Sequence, residues 1–163
     1  MFARDRQTLP WVEQWKRVDR WRNKLQAARA RDYIPADEMM DLFYAFFQNV
    51  FFMRDWLVSS GVNKNKVRAL FSSYHLSVCR DIVNGSKHCI ITRASVDSKF
   101  LTVREYDPDL RAEVFRVLAS GQKIDLYGLA MICFAQLQSF VIREELWDKT
   151  SSATCKEHCF GPE

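Results

Sequence analysis

Residues 35–61 read PADEMMDLFYAFFQNVFFMRDWLVSSG, and this stretch decides the fold because it predicts one long helix at the centre of the core. Proline is favoured in the first turn of a helix, and the acidic pair Asp37 and Glu38 suits the positive end of the helix dipole. The Ser-Ser-Gly run at 59–61 ends the helix. The apolar side chains recur at helical spacing on one broad stripe: Met39, Phe43, Phe46, Phe47, Val50 and Leu57.

Three more amphipathic helices are predicted around this one. The first spans residues 10–29. The next begins at Asn63 or Asn65 and ends between residues 84 and 88, and the last begins at the capping residue Asp125 and ends at about Trp147. In the first of them, Trp and aliphatic residues recur every three or four positions, so we expect the tryptophans to pack on the body of the protein. The predicted fold class is therefore mainly α, a four-helix bundle, with residues 35–88 as its central helical hairpin.

A β-rich insertion is predicted between the third and fourth helices, at residues 89–124, as a small hairpin or meander. Its β-branched segments favour strands at Ile90–Thr92 and Phe100–Val103. Two interpretations of residues 108–119 stay open. The spacing of their apolar residues favours a helix, whereas the Ser120-Gly121 pair that follows favours a hairpin turn.

The composition is that of a single globular domain over residues 1–163. Of the 163 residues 48% are apolar, and only five are Gly and four Pro, which excludes collagen-like and disordered chains. The five cysteines are an odd number, and no signal-like leader precedes them, so a reducing compartment is predicted. No apolar run approaches the ~18 residues of a membrane span. We therefore expect a cytoplasmic protein with no membrane contact.

Basic residues are concentrated at the N-terminal end of the chain. Residues 1–31 carry nine Lys and Arg against three acidic residues, a net charge of +6, whereas the whole chain carries +4. Basic side chains with interleaved tryptophans suit the phosphates and bases of RNA, although a solvated basic helix explains the same pattern. The candidate RNA contacts are Lys16, Arg17, Arg20 and Lys24.

The run CRDIVNGSKH at residues 79–88 places polar side chains at the end of an otherwise apolar helix. If the helix continues to its last residue, Asp81, Asn84 and His88 share one face with Ser77. A histidine beside a carboxylate is the natural group for proton transfer. The cations suited to bind a phosphate here are Arg80 and Lys87. The same run also fits an ordinary helix C-terminus, with Gly85 in the left-handed conformation.

A second charged pair, Arg54 and Asp55, lies in the long helix. In one interpretation, Asp55 orients His88 or Lys87 across the bundle. In the other, Arg54 and Asp55 form a solvated ion pair of little energetic value. The sequence pattern does not decide between these two roles.

No metal and no cofactor is predicted. Cys155, His158 and Cys159 in the tail, residues 148–163, offer three soft ligands, but a structural zinc site needs a fourth. The chain contains no glycine-rich phosphate loop, no nucleophile elbow and no His-Glu-x-x-His motif. These absences argue against NTPases, Rossmann enzymes, serine hydrolases and zinc proteases.

The polar run resembles the motif of HEPN domains (higher eukaryotes and prokaryotes nucleotide-binding), which are all-helical. The residues that carry the resemblance are Arg80, Asp81 and His88. The wider text, FFQN at 46–49, RDWL at 54–57 and DIVNGSKH at 81–88, is similar to a group of microbial proteins placed near that superfamily. The resemblance covers about residues 35–145.

The resemblance implies a four-helix bundle that forms a homodimer through its motif-bearing helices. It also implies a metal-independent endoribonuclease, or an RNA-binding component, of a defence or toxin–antitoxin system, with an antitoxin protein as a partner. In that case Arg80 holds the scissile phosphate, His88 transfers a proton to or from the ribose 2′-hydroxyl, and supporting residues position them. Asp81 would be the third catalytic residue, and it positions the other two together with Asn84. The further supporting residues would be Lys87, Asp55 and Arg54. The alternative is a catalytically inactive helical module for dimerisation or protein binding.

Overall fold

The structure, a computed structural model, describes residues 9–87, residue 96 and residues 101–147. It is mainly helical, with a small three-stranded antiparallel sheet between the last two helices, as the sequence predicts. The elements are α1 (Pro10–Arg29), α2 (Ala36–Ser59), α3 (Lys64–Phe71), α4 (Tyr74–Lys87), β1 (Leu101–Asp107), β2 (Ala112–Ala119), β3 (Gln122–Asp125) and α5 (Leu126–Arg143). The predicted strand at Ile90–Thr92 and the tail at 148–163 lie outside the described residues.

Helix α2 lies at the centre of the core and contacts α1, α3, α4 and α5. The side chains of its apolar stripe are buried, and the Phe46 and Phe47 rings meet edge to face at 5.6 Å. Phe43 reaches the sheet, where its ring lies 6.0 Å from that of Phe115. The prediction that this helix forms the axis of the core is therefore confirmed.

Helix α1 is tied to the rest of the core by its tryptophans, as predicted. Trp11 is buried and its ring lies 4.7 Å from that of Trp147, while the Trp15 ring lies 5.2 Å from that of Phe134 on α5. The backbone N–H of Trp11 donates to the hydroxyl of Ser60, just beyond the end of α2. Helices α1 and α2 therefore run antiparallel, and this hydrogen bond joins the start of α1 to the end of α2.

The third predicted helix is two helices, so that part of the prediction is wrong. Asn63 caps α3, as expected, by accepting from the N–H groups of Asn65 and Lys66. The helix ends at Phe71, where the hydroxyl of Ser72 donates to the carbonyl of Arg68 at 2.7 Å. Serine side chains compete in this way for helix carbonyls. The chain then turns into α4, which continues through Gly85 to Lys87, so the predicted left-handed cap at Gly85 is also wrong.

The sheet is an antiparallel meander in the order β1-β2-β3. Ser120 and Gly121 form a two-residue turn between β2 and β3, with φ values of 49° and 75°. Two successive positive φ angles are typical of hairpin turns and incompatible with a right-handed helix. Residues 108–119 are thus a turn and strand β2, and the hairpin interpretation is correct. Val117 is fully buried, so this strand packs on the helices.

Helix α5 is a core helix. It ends at Arg143, four residues before the predicted end at Trp147, and Glu145 beyond it has a φ of 52°. Among the described helices only α5 is long and apolar enough, by length and composition, to cross a membrane. Its inward face is buried against the other helices, including Leu129, Leu137 and Phe140. The helix therefore packs as part of the core.

The predicted cap of α5 is confirmed and is testable. The carboxylate of Asp125 accepts from the N–H of Gly128 at 2.6 Å. We expect Asp125→Ala to lower the free energy of unfolding by about 1 kcal/mol, because the amide loses its acceptor. Asp125→Asn keeps a capping oxygen and is the matched control. Urea denaturation followed by circular dichroism measures both, and equal losses would contradict a capping role.

Candidate functional site

The polar run on α4 is divided between two environments. Consecutive helical residues point about 100° apart, and here Arg80 is exposed whereas Asp81 is 2% exposed. The carboxylate of Asp81 accepts from the backbone N–H of Val96 at 2.6 Å. Asp81 therefore holds Val96 against α4, and it does not share an open cleft with Arg80.

Arg80 instead lines a groove of about 650 Å³ between α2, α3 and α4, which we call the basic groove. Its charged residues are Arg54, Asp55, Lys64, Arg68 and Arg80. Three of them, Arg54, Asp55 and Arg80, are sequence-predicted site residues that lie on two different helices. The fold brings these three together and adds two further cations from α3.

The basic groove has an excess of positive charge. Arg54 donates from Nε to Asp55 at 3.0 Å, and both side chains are exposed. Lys64, Arg68 and Arg80 form no ion pair with any residue that the structure describes. Since exposed ion pairs are weak, even the Arg54 guanidinium is available to a stronger anion.

Aromatic side chains form part of the groove wall. The rings of Phe51 and Phe71 meet edge to face at 6.5 Å, and both residues are only half-buried. The Arg54 guanidinium lies over the Phe51 ring at 4.7 Å. The groove thus offers flat apolar surface beside its cations.

The other predicted residues of α4 that the structure describes do not line the basic groove. Lys87 is exposed, with its ammonium 5.7 Å from the centre of the Phe52 ring on α2. Asn84 is half-buried. The face shared by Ser77, Asp81 and Asn84 exists as predicted, but it faces partly inward. His88 lies outside the described residues.

The predicted RNA contacts on α1 are less available to a ligand than the sequence pattern suggests. Lys16 pairs with Glu13 at 3.3 Å, and Lys24 lies over the Trp21 ring at 4.3 Å. Arg20 is exposed. The tryptophans expected to stack on bases are used in packing, since Trp11 is buried and Trp15 is half-buried. The exposed cations among the predicted contacts are Lys16, Arg20 and Lys24.

A polar network joins α1 to α2 and holds Arg17. The buried side chain of Gln14 donates to the carbonyl of Asn49 at 2.9 Å and accepts from Arg17 at 3.0 Å. The Arg17 guanidinium lies 5.1 Å from the centre of the Trp56 ring. Sequence reasoning missed this network, because a glutamine within a basic, Trp-rich helix carries no signal of burial.

Lys64 and Arg68 were also missed, although a signal was present. They are four residues apart and lie on the same exposed face of α3. The prediction placed both residues in one long helix, and in such a helix nothing indicated that they would lie beside Arg54 or Arg80. The break at Ser72 allows α3 to cross α2 beside α4.

The thiols of the core are unsuited to nucleophilic chemistry. Cys79 and Cys133 are both fully buried, and burial, followed by the hydrogen bond to Cys133, raises the pKa of the Cys79 thiol well above its usual range. Reactive cysteines need the thiolate form. In the part of the chain that the structure describes, no group of three His, Cys, Asp or Glu side chains is placed to hold a metal ion, and the tail residues Cys155, His158 and Cys159 lie outside that part.

The basic groove therefore combines exposed cations, one weakly engaged carboxylate and half-buried aromatic rings on a helical frame. Cations of this kind suit the phosphates of a polyanion, and aromatic rings suit stacking on planar groups. Comparisons of the chain with protein-family models, with curated proteins and with solved structures gave no match.

Proposed function

We propose that this protein is a HEPN-like, cytoplasmic RNA-binding component of a defence or toxin–antitoxin system, and that the basic groove holds the phosphate backbone of its RNA. The observation that carries the proposal is the convergence of four cations with one carboxylate in a single groove. Three of these cations have no ion pair among the described residues, so they meet a ligand without first losing a partner.

The chemistry of the groove favours an unpaired strand. Lys and Arg side chains release counterions from the RNA phosphates, which makes such binding strongly salt-dependent. The guanidinium groups of Arg68 and Arg80 add bidentate hydrogen bonds to phosphate oxygens. Half-buried Phe51 and Phe71 offer faces on which unstacked bases can rest.

The fold we propose for the helical part is a HEPN-type four-helix bundle of α1, α2, α4 and α5, to which α3 and the sheet are additions. The packing of α2 against α1, α4 and α5, together with contacts between α1 and α5 and between α4 and α5, supports this arrangement. Self-association through the motif-bearing helices, as the resemblance implies, would place two copies of Arg80 and Lys87 near one RNA strand.

Metal-independent cleavage is the catalytic form of this proposal. Arg80 would hold the scissile phosphate. His88, the residue directly after α4 in the sequence, would transfer a proton to or from the ribose 2′-hydroxyl. Asp81 has a different role in it, because its carboxylate is buried and bound to Val96. It is a positioning residue that holds Val96, in the segment that follows α4 in the sequence.

Removing charge from the basic groove tests RNA binding. We expect the double variant Arg68→Gln/Arg80→Gln to weaken binding of a fluorescein-labelled single-stranded RNA of about 12 nucleotides by roughly tenfold. The slope of log Kd against log salt should fall by about 1.4, since each lost phosphate contact on a single strand contributes about 0.7. Fluorescence anisotropy over a salt series measures both quantities.

Lys123→Gln is the matched control, because Lys123 pairs with Glu105 on the sheet and lies outside the groove. Its removal should leave the salt slope nearly unchanged. A double groove variant with wild-type affinity would refute the proposed interface. Absence of RNA binding by the wild-type protein would favour the inactive interaction module instead.

Incubation of the same RNA with the wild-type protein in EDTA, beside Arg80→Ala and His88→Ala variants, tests cleavage. Cleavage by the wild-type protein alone supports the nuclease form. Binding without cleavage across a varied panel of RNA sequences would refute that form and leave RNA binding in place.

A further inference from the structure

A second cleft lies at the other end of α2, between the α1–α2 connection, the β1–β2 turn and the start of α5. It has a volume of about 600 Å³, and we call it the tyrosine cleft. The residues that matter to its chemistry are Arg29, Asp32, Tyr33, Tyr106, Arg111 and Tyr127. Phe43 and Phe115, whose rings lie 6.0 Å apart, contribute its buried aromatic wall.

Two tyrosines of this cleft are unusually open to solvent. Tyr33 is 72% exposed and Tyr106 is 63% exposed. Tyr127 is half-buried, and the Arg29 guanidinium lies 4.1 Å from the centre of its ring. Large aromatic side chains are normally covered, and flat exposed ones are well suited to stack on a planar ligand.

The charged side chains of the cleft are balanced, with three arginines and three carboxylates in its lining. Arg31 pairs with Glu38, Glu113 with Arg104, and the Asp125 carboxylate caps α5. Among the described residues, Arg29 and Arg111 have no ion pair, and neither do the carboxylates of Asp32 and Asp125. The cleft therefore has no excess of either charge, and its exposed tyrosine rings distinguish it from the basic groove.

The tyrosine cleft and the basic groove lie toward opposite ends of α2. Phe43 of the cleft and Val58 of the groove are about 20 Å apart along α2, at the rise of an α-helix. Helix α1 runs antiparallel beside α2 and exposes cations along this distance. They are Lys16, Arg20 and Lys24, spaced by four residues on one face.

We propose that the tyrosine cleft is a second RNA site, in which unpaired bases stack on Tyr33 and Tyr106 while the phosphates of the same strand continue past α1 to the basic groove. This inference rests on the proposed function, because it takes RNA as the ligand of the groove. It gives the two sites different tasks: the groove binds mainly phosphates, and the cleft binds mainly bases.

The double variant Tyr33→Leu/Tyr106→Leu tests the inference against Tyr33→Phe/Tyr106→Phe. We expect the Leu variant to bind a single-stranded RNA of about 12 nucleotides at least about fivefold more weakly, because each lost base–aromatic stack has a measurable cost. The Phe variant keeps both aromatic faces and should bind like the wild-type protein. Both tyrosines are exposed, so the melting temperatures of the variants should match and are measured as a check.

An abasic oligonucleotide of the same length separates base stacking from phosphate binding. Its affinity should change by less than about twofold in the Leu variant, since it presents no bases to the cleft. Equal affinities of the Leu and Phe variants for RNA would refute the cleft as a base-binding site. That result would leave the groove intact, whereas wild-type affinity of Arg68→Gln/Arg80→Gln would refute the groove itself.

Discussion

Replacing Phe47 with Ala is expected to lower the free energy of unfolding by about 3–5 kcal/mol, the cost typical of removing a buried phenyl ring. Phe47 is completely buried at the centre of α2, and its ring lies 5.6 Å from Phe46 and 6.3 Å from Phe43. A cavity at this point would be bordered by rings that cannot collapse into it. Urea denaturation followed by circular dichroism measures the loss.

Phe52→Ala is the matched control on the same helix. Phe52 is 36% exposed and contacts Lys87 at the surface, so its removal should cost less than about 1 kcal/mol. Losses of similar size for the two variants would show that the aromatic stripe does not form the centre of the core. A Phe47→Ala protein too unstable to purify would agree with the expectation, provided that Phe47→Leu, which fills most of the space, folds.

Asp81→Ala is expected to cost about 1–3 kcal/mol, because it leaves the Val96 N–H without this acceptor in a part-buried setting. Asp81→Asn retains an oxygen at the same position and should recover most of the stability. Thermal melting of both variants measures the difference. RNA affinity at the basic groove should be nearly unchanged in Asp81→Asn, since the carboxylate does not line that groove.

The same pair of variants distinguishes a positioning role from a chemical one. If Asp81 only holds Val96, any RNA cleavage by the protein survives in Asp81→Asn and falls in Asp81→Ala together with stability. A folded Asp81→Asn protein that has lost cleavage while keeping RNA affinity would contradict this and place the carboxylate in the reaction.

Local pattern predicted most of the helical frame. The bounds of α1 and α2, the caps Asn63 and Asp125, and the buried stripe of α2 all follow from side-chain spacing and from the few residues that satisfy free helix ends. These features depend on neighbours within one or two turns, so the sequence contains the information directly. The break at Ser72 was missed because serine is also tolerated within helices.

The candidate site was predicted only in part. The sequence singled out Arg54, Asp55 and Arg80, and the fold places them in one groove. The sequence pattern also grouped Asp81 with Arg80. Adjacent positions on a helix face different surroundings, and here the Asp81 side chain is buried while the Arg80 side chain is exposed. Lys64 and Arg68 join the groove through a crossing of helices that no local spacing specifies.

The amino-acid sequence by itself determined a mainly helical fold built on an aromatic central helix, with a small β insertion and a surplus of cations. Periodicity and capping are local, and each follows from residues a few positions apart. Only the tertiary structure decided which cations share a groove, which tryptophans of α1 are used in packing and which carboxylate is buried. Those outcomes depend on how helices distant in the chain pack together, because burial and electrostatic environment belong to the assembled surface.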